Sequence, residues 1–183
     1  MPLLPDEPIK LTPKQYELVV KRILDATGHP LSGYTSKHLD SIKCSDGNYT
    51  FDVTVRFSAL GADFLVLVEC KHEGRKVERQ AVQVLHSKMQ SVGAQKGMLF
   101  SISGFQTGAI DFADVHGIAL VQLSNGETAW MTKSMVPPPP PRWEQYPDVI
   151  GWWCHGNTMS VMSAEVSDYT RKALGLPDFN GLT

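Results

Sequence analysis

With 183 residues, 42% hydrophobic and 20% charged, the chain is long enough for one packed domain with an appendage and too apolar for global disorder. A formal net charge of −2 excludes a protein that binds nucleic acid through its overall charge, so any attraction to phosphate must come from a local patch. Cys44, Cys70 and Cys154 are odd in number and lack zinc-site spacing, which points to a reducing compartment, and no apolar run reaches membrane-spanning length.

The lead-in MPLLPDEPIK has early acids and no apolar stretch, so no signal peptide is expected and the default location is cytoplasmic, away from membranes. Thr12-Pro13-Lys14-Gln15 then opens a helix over 13–27. Thr12 caps it, Pro13 suits its first position and Gln15 completes a capping box. Tyr16, Val19, Val20, Ile23 and Leu24 share one helical face, and Gly28 is placed to end the helix in the left-handed manner.

A strand is expected over 34–43, followed by the turn cluster Ser45-Asp46-Gly47-Asn48. Residues 49–57 and 64–71 thread as an antiparallel hairpin with a four-residue loop, 59–62, in a register that sets position 58 across from 63 and 52 across from 69. One face then carries Phe51, Val53, Val55, Phe57, Phe64, Val66, Val68 and Cys70. The other carries Asp52, Thr54, Arg56, Leu65, Leu67, Glu69 and Lys71. A slip of one residue would scramble this separation, so the pattern supports the register.

A helix over 77–92 shows Val77, Ala81, Val84, Leu85 and Val92 on one side. MLFSIS is a short buried strand. Ser103-Gly104 begins a further helix with Phe105, Ala109, Phe112 and Ala113, and Ser103 serves either as its cap or as part of a phosphate-binding end. His116-Gly117 stops it before the strand IALVQL. The order α-β-β-β-α-β-α-β predicts an α/β fold with three layers, a mixed sheet flanked by helices. Five prolines at 137–141 suggest a boundary between a domain at 1–136 and a Pro-linked extension at 137–183. The extension holds Trp143, Trp152 and Trp153 and a possible helix near 163–174. It is a second element packed on the core, a docking segment for a partner protein, or a set of stacking aromatics.

The hairpin register carries the chemistry. Cross-strand neighbours lie about 4.5–5.5 Å apart at Cβ, so Asp52 and Glu69 would repel unless a hard cation sits between them. Mg²⁺ (or Mn²⁺) suits such a pair, with water and phosphate completing its shell. Lys71, two residues beyond Glu69, points to the same side, where an ammonium can balance charge and orient an attacking water. A solvated strand end with an edge acid is the bland alternative. Between Lys71 and Lys96 stand Lys71, Arg75, Lys76, Arg79, Lys88 and Lys96 against Glu73 and Glu78, a local positive excess fit for a phosphate backbone or for a solvated, ion-paired helix.

From Tyr16 to Leu123 the sequence resembles the Mrr-like restriction endonucleases of the PD-(D/E)xK superfamily. The matching segments are YELVVKRILDATG, FDVTV, LVECKH, GAQKGMLFSISGFQTGAIDFA and GIALVQL. The resemblance implies a restriction-endonuclease-like core. In it Asp52 and Glu69 bind the metal, Lys71 is the catalytic lysine and the Cys70 carbonyl is a further ligand. Glu17 is either an acid that helps hold the metal or its water, or a solvated first-turn acid. Gln80 and Gln83 either contact DNA or form the wet face of a helix. Phe51 stands where the motif's proline is usual.

The implied activity is a Mg²⁺-dependent endonuclease acting on DNA in type IV restriction or defence. A repair or recombination nuclease of the same fold and a non-catalytic DNA-binding subunit are the alternatives. Cutting both strands calls for two active sites, hence a homodimer.

Overall fold

The computed structural model describes residues 10–125, 149–155 and 158–162. The prolines at 137–141 and the helix expected near 163–174 lie outside them. The elements run α1 (Pro13–Gly28), β1 (Thr35–Cys44), β2 (Gly47–Ala59), β3 (Ala62–Lys71), α2 (Arg79–Val92), β4 (Lys96–Ser101), α3 (Thr107–His116), β5 (Ala119–Asn125), β6 (Val149–His155) and β7 (Thr158–Met162).

All seven strands form one mixed sheet whose spatial order follows the chain. β1, β2 and β3 form an antiparallel meander, and β3, β4 and β5 are parallel. β6 and β7 return antiparallel, so the segment beyond the expected boundary at 136 continues the same sheet. Two parallel connections stepping in one direction put α2 and α3 on one face, as a constant crossover hand requires. α1 covers the other. The layers are visible in two separate cores, one of α1 residues with Val53, Val55, Val66, Val68, Phe100 and Val121. The second joins α2 and α3 to Phe51, Leu67, Leu99 and Leu120. β4 is buried along nearly its whole length, as a strand covered on both faces must be.

The local signals explain the elements that hold the core. Thr12 and Gln15 form the reciprocal capping box at the start of α1, and Tyr16, Val20, Ile23 and Leu24 are buried along its inner face. Gly28 is not a left-handed cap: α1 ends on His29 in a right-handed conformation. Gly28 is needed for close approach, because a Cβ there would lie 1.8 Å from the Tyr34 ring. That ring is pinned, since the Tyr34 hydroxyl donates to Asp25 at 2.9 Å. Asp25 also accepts from Lys21 and Ser36. Burial pulls the Asp25 carboxyl upward, but these bonds outweigh it and hold it below the usual carboxylate range.

The β2–β3 register is as expected, with Ser58 opposite Asp63 and Val53 opposite Val68. The connection is tighter than the four-residue loop, because Ala59 and Ala62 still pair. Leu60 and Gly61 alone make the turn, with φ of 52° and 77°, the type I′ geometry that matches strand twist.

α2 starts at Arg79, two residues later than expected, and buries Val82, Leu85 and Met89. Val84 is 48% exposed and belongs to a cleft rather than the core. α3 starts at Thr107 behind Gln106, so Ser103-Gly104 is neither a cap nor a phosphate-binding helix end. The Ser103 hydroxyl donates to the Glu73 carbonyl, and Gly104 takes a φ of 75° that folds the chain over Gln122.

Two stability outcomes follow from these turns. Leu60 is fully exposed in a conformation that side chains other than Asn, Asp and Gly resist, so Leu60→Asn raises stability by about 0.5–1 kcal/mol. Gly28→Ala drives a methyl into the pinned Tyr34 ring and lowers stability by about 1–3 kcal/mol. Shifts of the urea midpoint at constant m-value measure both.

Candidate active site

The site begins where a ladder ends. β2 and β3 pair from Ala59–Ala62 to Val53–Val68 and then separate, while β1 and β2 go on pairing to Cys44–Gly47 and β3 and β4 to Lys71–Ser101. The β1–β2 ribbon therefore bends away from β3 at Asp52. Leu39, which lies between the paired His38 and Asp40 where the β1–β2 register skips Asp52, has a φ of 52°. A left-handed leucine costs about 1–2 kcal/mol. The kink also reverses which face each side chain meets: Val53 packs in the α1 core, whereas Phe51 packs in the α2/α3 core. The expectation that Phe51 shares the face of Val53 is thus corrected, as is that of a simple Asp52–Glu69 cross-strand pair.

Asp52 sits in the opened gap. Its Oδ2 accepts the Cys70 backbone N–H at 2.6 Å, a hydrogen bond that takes the place of a lost rung. The carboxyl is raised above its usual range by burial, against the Cys70 N–H that favours its charged form. The charges of Glu69 and Glu17 raise it further, and Lys71 pulls it back. Asp52, Glu69, Glu17 and Lys71 thus feel one another at one carboxylate.

Glu17, on α1, bonds His38 of β1 at 2.6 Å. Glu69 faces the α2 side, where its Oε1 accepts from Lys88 Nζ at 2.6 Å. The Lys71 ammonium makes no hydrogen bond or ion pair among the described residues. The Cys70 thiol is pushed well above its ordinary range by burial, then by Asp52, Glu17 and Glu69. The Tyr16 hydroxyl and His72 Nε2 are buried without a hydrogen-bond partner among the described residues.

A cleft of about 260 Å³ opens on the α2 side, lined among others by Glu69, Lys71, Arg75, Lys76, Gln80 and Lys88. Three of the residues expected to meet nucleic acid, Arg75, Lys76 and Gln80, therefore stand beside Glu69 and Lys71. Arg79 and Gln83 do not line it: the Arg79 guanidinium lies 5.2 Å from the Phe112 ring centroid on α3, and Gln83 is on the exposed face. Asp52 and Glu17 lie behind the cleft rather than on its lining.

The donor chemistry suits a hard cation of the Mg²⁺ type. Burial is the main cause that raises Asp52, with the charge of Glu69 on the neighbouring strand adding to it, and Mg²⁺ needs only one or two carboxylates beside water and phosphate. Among the described residues no group of three or more His, Cys, Asp or Glu side chains is arranged to hold a metal ion.

A family model described as restriction endonuclease, the Mrr catalytic domain, matches residues 9–127. The chain belongs to the Mrr restriction endonuclease family. The match covers α1 to β5, and so includes the kinked ribbon, the gap and the cleft of this Mrr-family domain. Among solved structures, a protein of unknown function is similar at 20% identity with a TM-score of 0.48, over 58% of this chain and 55% of that one. The aligned part thus spans about half the length of that structure. No curated protein matches at a significant level.

Two contacts of this Mrr-family site were not read from sequence. Lys88 counted only as one basic residue of a patch, although Gln80, Ala81, Val84 and Lys88 form a cleft-facing stripe at helical spacing that signals its position. The His38–Glu17 bond joins residues far apart in sequence and has no local signature.

Burial of two of the thiols also has a chemical consequence. The Cys154 thiol, like that of Cys70, is raised by burial, to about 11, with a further push from Asp114. In the folded protein an aromatic disulfide reagent therefore labels Cys44 roughly tenfold or more faster than Cys70 and Cys154, and denaturant equalises the three. Rapid labelling of Cys70 under native conditions would show that its thiol is accessible.

Proposed function

We propose that this chain is a divalent-metal-dependent deoxyribonuclease that hydrolyses phosphodiester bonds in DNA, acting in restriction or defence against foreign DNA. What supports this reading is that Glu69, Glu17 and Lys71 each bear electrostatically on the Asp52 carboxyl, at the point where the β2–β3 pairing ends. Asp52 and Glu69 would hold the ion, which supplies Lewis acidity at the phosphate and a more acidic attacking water.

The chain's own residues do the rest. The Cys70 N–H fixes the Asp52 carboxylate, so that its geometry is set before substrate arrives. Glu17 adds negative charge behind Asp52 and is itself oriented by His38. Lys71 has an ammonium without a partner among the described residues, available to a phosphate oxygen and to the charge that develops on it. Arg75 and Lys76 extend the positive lining along the cleft, where a backbone would run. This lining contrasts with the net charge of −2, so the attraction is confined to the site.

Plasmid nicking in Mg²⁺ tests the proposal. The wild-type chain converts supercoiled to open or linear DNA, and Asp52→Asn, Glu69→Gln and Lys71→Ala each reduce the rate roughly a hundredfold or more while keeping the fold. DNA binding without metal-dependent cutting by the wild type would assign the chain instead to a non-catalytic binding subunit.

A further inference from the structure

We propose that Lys88 is a built-in counter-cation of the site: its ammonium is bonded to Glu69 and competes with a divalent ion for that carboxylate. The inference rests on the reading of Asp52 and Glu69 as metal ligands. Lys88 Nζ lies 2.6 Å from Glu69 Oε1, and the two side chains are only 24% and 13% exposed. In a pair so enclosed, removing one partner strands the other charge.

The placement is built rather than incidental. Val82, Leu85 and Met89 anchor α2 in the core, and Lys88 is held on its cleft side between them. The ammonium also lies 5.5 Å from the centroid of the Phe51 ring, within the range of attraction to an aromatic face. Phe51 reaches the α2 side only because the ribbon kinks at Leu39 and Asp52. The deformation that opens the gap therefore also supplies the surface against which the lysine rests.

The electrostatics give this contact a task. Glu69 raises the Asp52 carboxyl through like charge. An ammonium on Glu69 offsets that repulsion while no metal is bound. A divalent ion brings twice the charge and engages both carboxylates, so it replaces the lysine or binds against its repulsion. In either case the lysine charge weakens metal binding. Lys71, which has no such partner among the described residues, remains the cation available to substrate.

The test is direct Mn²⁺ binding to the metal-stripped full-length protein, read from the free-ion electron paramagnetic resonance signal. Lys88→Met, which keeps the stem and removes the charge, and Lys88→Gln bind Mn²⁺ about three- to thirtyfold more tightly than wild type. Lys88→Arg stays within about twofold, because it keeps a cation on Glu69. In the wild type, Lys88 becomes several-fold more reactive toward an acetylating reagent when Mn²⁺ saturates the site, a measurement that needs no variant. Unchanged or weaker binding in Lys88→Met and Lys88→Gln, or unchanged Lys88 acetylation should those variants not fold, overturns the proposal. Asp52→Asn separates the two readings. If it leaves Mn²⁺ binding as in wild type, the metal-site reading itself fails. If it abolishes binding while Lys88→Met matches wild type, only the role of Lys88 fails.

Discussion

The site depends on a broken ladder. An antiparallel pair that continued past Val53–Val68 would close Asp52 against Glu69 and leave no room between them. Instead the β1–β2 ribbon turns at Leu39 and Asp52, and each neighbouring pair keeps its own hydrogen bonds beyond the break. The unpaired Cys70 N–H is satisfied by the Asp52 carboxylate. A buried amide without a partner would cost about 1–3 kcal/mol, so the same carboxylate completes the backbone and marks the site.

The surroundings of the break keep it in one geometry. Thr54 is fully buried and donates to Asp40, which also accepts from Arg56. Burial raises the Asp40 carboxyl, but these bonds prevail and hold it below the usual range, so it is charged at neutral pH. On the far side of the ribbon Ser91 of α2 donates to Asp46, tying the bent tip to the helix. Strain at Leu39 persists because these contacts fix both strands that meet there. The result is a site with an acidic gap toward α1 and a basic cleft toward α2, separated by the edge of β3.

Much of this was legible from residue order. The capping box at Thr12–Gln15 depends on neighbours in sequence, and the β2–β3 register follows from alternation that any slip would scramble. The kink was not legible, because Leu39 is not a residue that announces a left-handed turn, and so the face of Phe51 came out reversed. Ser103-Gly104 has the composition of a helix start, yet the glycine serves a turn over Gln122 and α3 begins three residues later. Gly28 was expected for its conformational freedom and is used for its missing side chain. In each case tertiary contact, not local preference, decided the outcome.

The central claim is that the carboxylates of Asp52 and Glu69 converge on one cation. A crystal soaked in Mn²⁺ and measured near the manganese edge tests it most directly. The account predicts a single strong anomalous peak between the two carboxylates, roughly 2 Å from an oxygen of each. A peak bound to neither carboxylate, or none at a concentration that supports DNA cutting, would contradict it.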